Sequence, residues 1–110
     1  MEKKVQVFRP NGKMNHDNCK EIYDQIQTLS KTEDFDYFII DMQDVTYINT
    51  YGLGAVLGAL RLSRQFGFRL ILCSIIAEPV KSFFQLTAMD RVFNIYSNIS
   101  EFHSTCSRNQ

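Results

Sequence analysis

Apolar and polar residues alternate where the chain opens. Val5 and Val7 lie on one side with Gln6 and Phe8 between them, and Arg9-Pro10-Asn11-Gly12 follows as a turn. Lys13-Met14-Asn15 adds a short extended piece. From Asn15 to Ser30 the period becomes helical: Cys19, Ile22, Tyr23, Ile26 and Leu29 form one apolar stripe, with Asn15 or Asp17 suited to cap it. Lys31-Thr32-Glu33-Asp34 is a polar break. Tyr37-Phe38-Ile39-Ile40 is too short for a helix and predicts a buried central strand ahead of Asp41. Val45–Ile48 predicts a second strand. Asn49-Thr50-Tyr51-Gly52 then punctuates the chain.

A helical period returns from Leu53 to Phe66, with Gly67 placed to end it in a left-handed conformation. Phe68 to Ile76 is a nearly continuous apolar run, predicting an inner strand. Ala77-Glu78-Pro79 opens a further helix, with Pro79 in the first turn, where a missing N–H costs little. Val92, Phe93, Ile95 and Tyr96 predict a last short strand, and Ser97 or Ser100 caps a helix through Phe102. Strands alternating with helices predict an α/β layered fold with at least some parallel pairing. One domain is expected, with its core over about 5–102 and residues 103–110 as a flexible tail.

Composition narrows the function classes. The chain has 110 residues, 45% hydrophobic and 22% charged, enough for one buried core without disulfides or metal. Twelve Lys+Arg balance twelve Asp+Glu, and the densest basic cluster, Arg61, Arg64 and Arg69, is sparse. Nucleic-acid binding is disfavoured, because it needs a basic surface. No apolar run approaches the ~20 residues that span a bilayer. Met1-Glu2-Lys3-Lys4 leads into no apolar signal segment, so the expected location is the cytoplasm, without membrane insertion. Cys19, Cys73 and Cys106 are odd in number and widely spaced, which supports neither a disulfide framework nor a zinc site. No metal and no cofactor is expected.

Catalytic sets do not converge. His16 and His103 lie at opposite ends of the chain, neither Cys73 nor Ser74 sits in a nucleophile elbow, and no phosphate-cradling glycine loop occurs. Asp41 and Asp44 read as a solvated turn rather than an acid–base pair. An enzyme is not expected.

One stretch stands out. Asn49 and Thr50 precede a helix, where their side chains can accept from the first helical N–H groups. A phosphate on Thr50 would bring about −1.5 to −2 charges to the positive end of that helix. Sequence physics alone favours the simpler reading of two helix caps. Gly54 and Gly58 leave a smooth strip on one helix face, although each glycine costs about 1 kcal/mol against alanine. Either the sheet beneath or another protein approaches that strip.

The stretch Asp41-Met42-Gln43-Asp44-Val45-Thr46-Tyr47-Ile48-Asn49-Thr50-Tyr51-Gly52-Leu53-Gly54 resembles the signature of STAS domains, in particular bacterial anti-sigma factor antagonists. Val80-Lys81-Ser82-Phe83-Phe84 resembles the family's third helix, and Leu86-Thr87-Ala88-Met89-Asp90-Arg91-Val92-Phe93 its closing segment. Gly12-Lys13-Met14-Asn15 is similar to its turn into the first helix. The likeness runs from about Val5 to Phe102.

The resemblance implies a STAS-type single domain with a mixed four- to five-stranded β-sheet and about four helices, mainly on one face. It implies partner switching. The unmodified antagonist binds an anti-sigma factor that is also a serine/threonine kinase. Phosphorylation of a residue matching Thr50 breaks that complex, and a phosphatase resets it. Asn15, Asn49, Tyr51, Gly52, Gly54 and Gly58 map to the partner-binding face. The chain itself is expected as a monomer or weak dimer. Three positions depart from the family pattern: Asn49 and Asn15 stand where aspartates are usual, and Tyr51 stands where a small residue is usual. Two alternatives also follow from the resemblance: a STAS scaffold that never carries phosphate, and an accessory subunit of a complex such as a membrane transporter.

Overall fold

The computed structural model describes residues 3–32 and 34–108. Along it run β1 (Val5–Phe8), β2 (Gly12–Met14), α1 (Cys19–Thr32), β3 (Tyr37–Asp41), β4 (Val45–Ile48), α2 (Thr50–Phe66), β5 (Arg69–Cys73), α3 (Glu78–Leu86), a 3-10 turn (Met89–Arg91), β6 (Asn94–Tyr96) and α4 (Ile99–Arg108). Strands alternate with helices as the hydrophobic pattern predicts, and the α/β class and four helices match the expectation.

The strands divide into two sheets. One has the order β1-β3-β5-β6; the other pairs β2 with β4. Every recorded pairing is parallel, where a mixed sheet was expected. The reason lies in the connections. No neighbouring strands are joined by a hairpin, and each crossover carries a helix that returns the chain in the same direction.

Alternation along β3 explains its continuous apolar run. Phe38 and Ile40 face one core, shared with Ile22 and Ile26 of α1, Val56 and Ala59 of α2, and Val80 and Phe84 of α3. Ile39 faces a second, smaller core with Ile71, Cys73 and Phe102 of α4. Three helices therefore cover one face and α4 covers the other, as a strand buried on both sides requires. Burial raises the Cys73 thiol above its ordinary pKa, and Cys73 is a small core hydrophobe as its apolar setting predicts.

Boundaries shift at several places: α2 starts at Thr50 rather than Leu53, β5 ends at Cys73 rather than Ile76, and β6 starts at Asn94 rather than Val92. The first helix begins at Cys19 rather than Asn15, because Asn15 to Asn18 form a turn in which the Asn15 carbonyl accepts from the N–H groups of Asn18 and Cys19. Thr32 belongs to α1, and Glu33 in the polar break lies outside the described residues. The last helix continues to Arg108, through residues read as a flexible tail, while Asn109 and Gln110 lie outside the description. Gly67 ends α2 as expected, at φ 82° with its N–H donated to the Ser63 carbonyl.

The Asp41–Asp44 pair is not one solvated turn. Asp44 is exposed, but Asp41 is 1% exposed and held by Arg9, whose Nε and Nη2 reach its Oδ2 at 2.9 and 2.8 Å. Its Oδ1 accepts from the Gln43 N–H at 3.1 Å. This carboxylate locks the end of β3 to the segment after β1, through a partner that no local pattern reveals.

Candidate functional site

Two helix starts meet at the end of the small sheet. The Asn49 N–H donates to the Met14 carbonyl at 3.2 Å, which brings the β4–α2 junction beside the β2–α1 turn. Asn49 is the N-cap of α2, with extended backbone, and its Oδ1 accepts from the N–H groups of Tyr51 (3.0 Å) and Gly52 (3.3 Å). That satisfies two of the orphan donors at the helix start.

Thr50 is not a second cap. It is the first residue of α2 and is exposed. The first turn of α2 carries no acidic residue, so the positive end of the helix dipole is uncompensated there. Tyr51 is 55% exposed and meets His16 edge-on, with ring centroids 4.8 Å apart. Asn15 lies in the facing turn, where its Oδ1 accepts from the Asp17 N–H at 3.0 Å and its N–H donates to Asn18 Oδ1 at 2.9 Å. Asn15 is half-buried and shapes the rim.

The three glycines of α2 separate into different roles. Gly52 is buried, and a β-carbon there would collide with the Met14 backbone. Gly58 is buried against the Tyr23 ring of α1, which a β-carbon would meet at 2.4 Å. Gly54 is exposed with open space above it. The smooth strip is thus filled from inside at Gly58, by α1 rather than by the sheet, and left open at Gly54. Gly52 and Gly58 set the geometry of the site, and Gly54 belongs to its accessible surface.

A groove of about 350 Å³ runs along this face between α1 and α2. Cys19, Lys20 and Tyr23 line one side; Tyr51, Gly54 and Arg61 line the other. Sequence reading placed Tyr23 on the apolar stripe and Arg61 in a sparse basic cluster, and it missed that both border the groove. The signal available was pairing: an aromatic on one helix needs a residue without a side chain on its neighbour. Among the described residues, no group of histidine, cysteine and carboxylate side chains could hold a metal ion, and no helix is long and apolar enough to cross a membrane.

Comparison with known proteins identifies the family of the fold. The family model for the STAS domain matches residues 2–102. The anti-sigma F factor antagonist of Paenibacillus polymyxa is 20% identical over 94 residues, spanning 86% of this chain and 80% of the relative. A crystal structure of a Thermotoga maritima protein, assigned as an anti-sigma factor antagonist, is 26% identical with a TM-score of 0.80, covering 92% of this chain and 86% of that one. A sulfate transporter family protein from Wolinella succinogenes shares the fold at 16% identity, with a TM-score of 0.72 over 88% of this chain and 80% of that one.

Proposed function

Since the chain belongs to the STAS domain family, we propose that it is a partner-switching regulator of the anti-sigma factor antagonist type. Its partner is an anti-sigma factor of the serine/threonine kinase kind. The unmodified helix start docks to that partner; phosphorylation of Thr50 releases it; a phosphatase restores it. The chain acts by binding and performs no catalysis.

One observation carries the reading: an exposed hydroxyl on the first residue of α2, beside a cap supplied by its neighbour. Because Asn49 already satisfies the Tyr51 and Gly52 N–H groups, a kinase can take the Thr50 hydroxyl without unravelling the helix. A phosphate there gains from the helix dipole within this protein, yet presents two charges to whatever sits on Tyr51 and Gly54. The modification therefore acts on the complex and not on the fold. The names of the Paenibacillus and Thermotoga relatives support the antagonist reading.

The test is incubation with a serine/threonine kinase encoded beside its gene, with ATP, followed by mapping of phosphate by mass spectrometry. Phosphate on Thr50, with loss of the complex, is expected. An active kinase that leaves Thr50 bare would sink the switch. The transporter reading rests on a likeness of fold alone, and it predicts co-purification with a membrane transport complex instead.

A further inference from the structure

The face of the large sheet turned away from α1, α2 and α3 holds a second feature. Parallel register sets Val5, Tyr37 and Arg69 side by side across β1, β3 and β5. Alternation puts Lys3, two residues before Val5, on the same side. Among the described residues α4 alone covers this face, and it covers it incompletely. Phe102 packs between two phenols, with ring centroids 5.0 Å from Tyr37 and 5.4 Å from Tyr96.

Between the strand starts and the end of α4 lies a pocket of about 430 Å³, within the range of small-molecule sites. Lys3, Arg69, Asn94 and Tyr96 line it from the side of the sheet, and Thr105 and Cys106 line it from α4. Two cations and several neutral donors line it, and none of the described lining residues is a carboxylate. Among the described residues, neither Lys3 nor Arg69 has an ion-pair partner. The nearby Asp36 turns its Oδ2 to the Lys4 N–H at 2.9 Å.

We propose that this pocket binds a small organic anion carrying one phosphate or carboxylate group, with Arg69 and Lys3 supplying the positive charge for the anionic end. Guanidinium offers paired N–H donors that match such an oxyanion, and the ammonium adds a second charge. The Asn94 amide and the Tyr96 hydroxyl, which also line the pocket, offer hydrogen bonds to the rest of the molecule. Burial and the contact with Cys106 raise the Tyr37 phenol above its ordinary pKa, so it stays a neutral O–H at physiological pH. The sheet on one side and α4 on the other limit the occupant to a small molecule. The site lies on the opposite face of the sheet from α2, so it is separate from the Thr50 surface.

Titration with phenyl phosphate and with benzoate, followed by ¹H–¹⁵N NMR, tests the proposal, with benzyl alcohol as the uncharged control. Saturable shifts are expected at the amides of Tyr37, Arg69, Thr105 and Cys106, with a Kd on the order of 1 mM for so small a probe. Which of the two anions binds more tightly distinguishes a phosphate site from a carboxylate site. Arg69→Gln weakens binding roughly ten-fold, Lys3→Gln weakens it less, and Arg64→Gln on α2 leaves it unchanged. Arg69 and Lys3 are exposed, so both variants keep a dispersed, folded spectrum. Shifts that do not saturate, equal binding of benzyl alcohol, or unaltered affinity in the Arg69 variant overturns the proposal.

Discussion

A β-carbon on Gly52 would sit 2.2 Å from the carbonyl oxygen of Met14. That carbonyl also accepts the Asn49 N–H, so the same backbone group positions the cap and the first turn of α2. Backbone cannot swing aside as a side-chain tip can. Gly52→Ala is therefore expected to destabilise the fold by about 3 kcal/mol. Urea unfolding monitored by circular dichroism checks this, and a variant as stable as the parent contradicts the close approach.

The other two glycines of α2 are predicted to respond in opposite directions. Gly54 faces open space, so Gly54→Ala is expected to gain about 0.5–1 kcal/mol of helix stability. Gly58→Ala drives a methyl into the Tyr23 ring and loses stability. Thermal melts of the pair provide the readout. If Gly54 lies under a partner, Gly54→Ala also weakens that complex while raising the melting temperature.

Removing Arg9 leaves Asp41 as a buried charge without its cationic partner, still accepting from the Gln43 N–H. Arg9→Met is expected to cost about 3 kcal/mol. Combining it with Asp41→Asn recovers part of that loss, because the uncompensated charge is gone. A double-mutant cycle in urea measures both; strict additivity would falsify the coupling.

Charge at the start of α2 has a predicted sign. Thr50→Glu places a carboxylate at an unopposed positive helix end, adding about 0.3–1 kcal/mol at low salt and less at high salt. At roughly 4 °C per kcal/mol for a domain of this size, the melting temperature rises by a few degrees at most. Under the proposed partner switch the same variant loses binding to an anti-sigma factor, so increased stability with lost binding is the diagnostic combination.

Alkaline conditions are expected to weaken the fold. Cys73 is raised chiefly by burial, and so is Tyr37. Each holds its proton more tightly folded than unfolded. Their contribution is complete below the unfolded thiol value of about 8.5 and is lost as pH climbs through the folded values. Iodoacetamide at mildly alkaline pH should accordingly modify Cys19 and Cys106 well before Cys73; early labelling of Cys73 counts against its burial.

How much of this was legible in the sequence depended on whether the information was local. Val45–Ile48 and the end of α2 at Gly67 were read correctly, because alternation and a glycine at positive φ are encoded within a few residues. The helix cap was half legible. Two residues of suitable type stood together, and geometry gave the role to Asn49 alone. The burial of Asp41 depends on Arg9, 32 residues away, and the approach at Gly58 depends on a tyrosine in another helix. The split into two parallel sheets was likewise invisible, since pairing joins segments that no period connects. The family resemblance supplied the fold and an expected position for the site; it did not separate the glycines packed against Met14 and Tyr23 from the one that lies open.

The crossovers of the sheet also dictate an order of events. β3 can join β1 once α1 has bridged them, but β3 stays bare along its other edge until β5 exists, and β5 until β6. During synthesis α2 leaves the ribosome before β5, a strand it packs against, has been made. An emerging chain thus shows Thr50 on a helix not yet fixed in place, and the proposed docking surface matures only after the far edge of the sheet has closed.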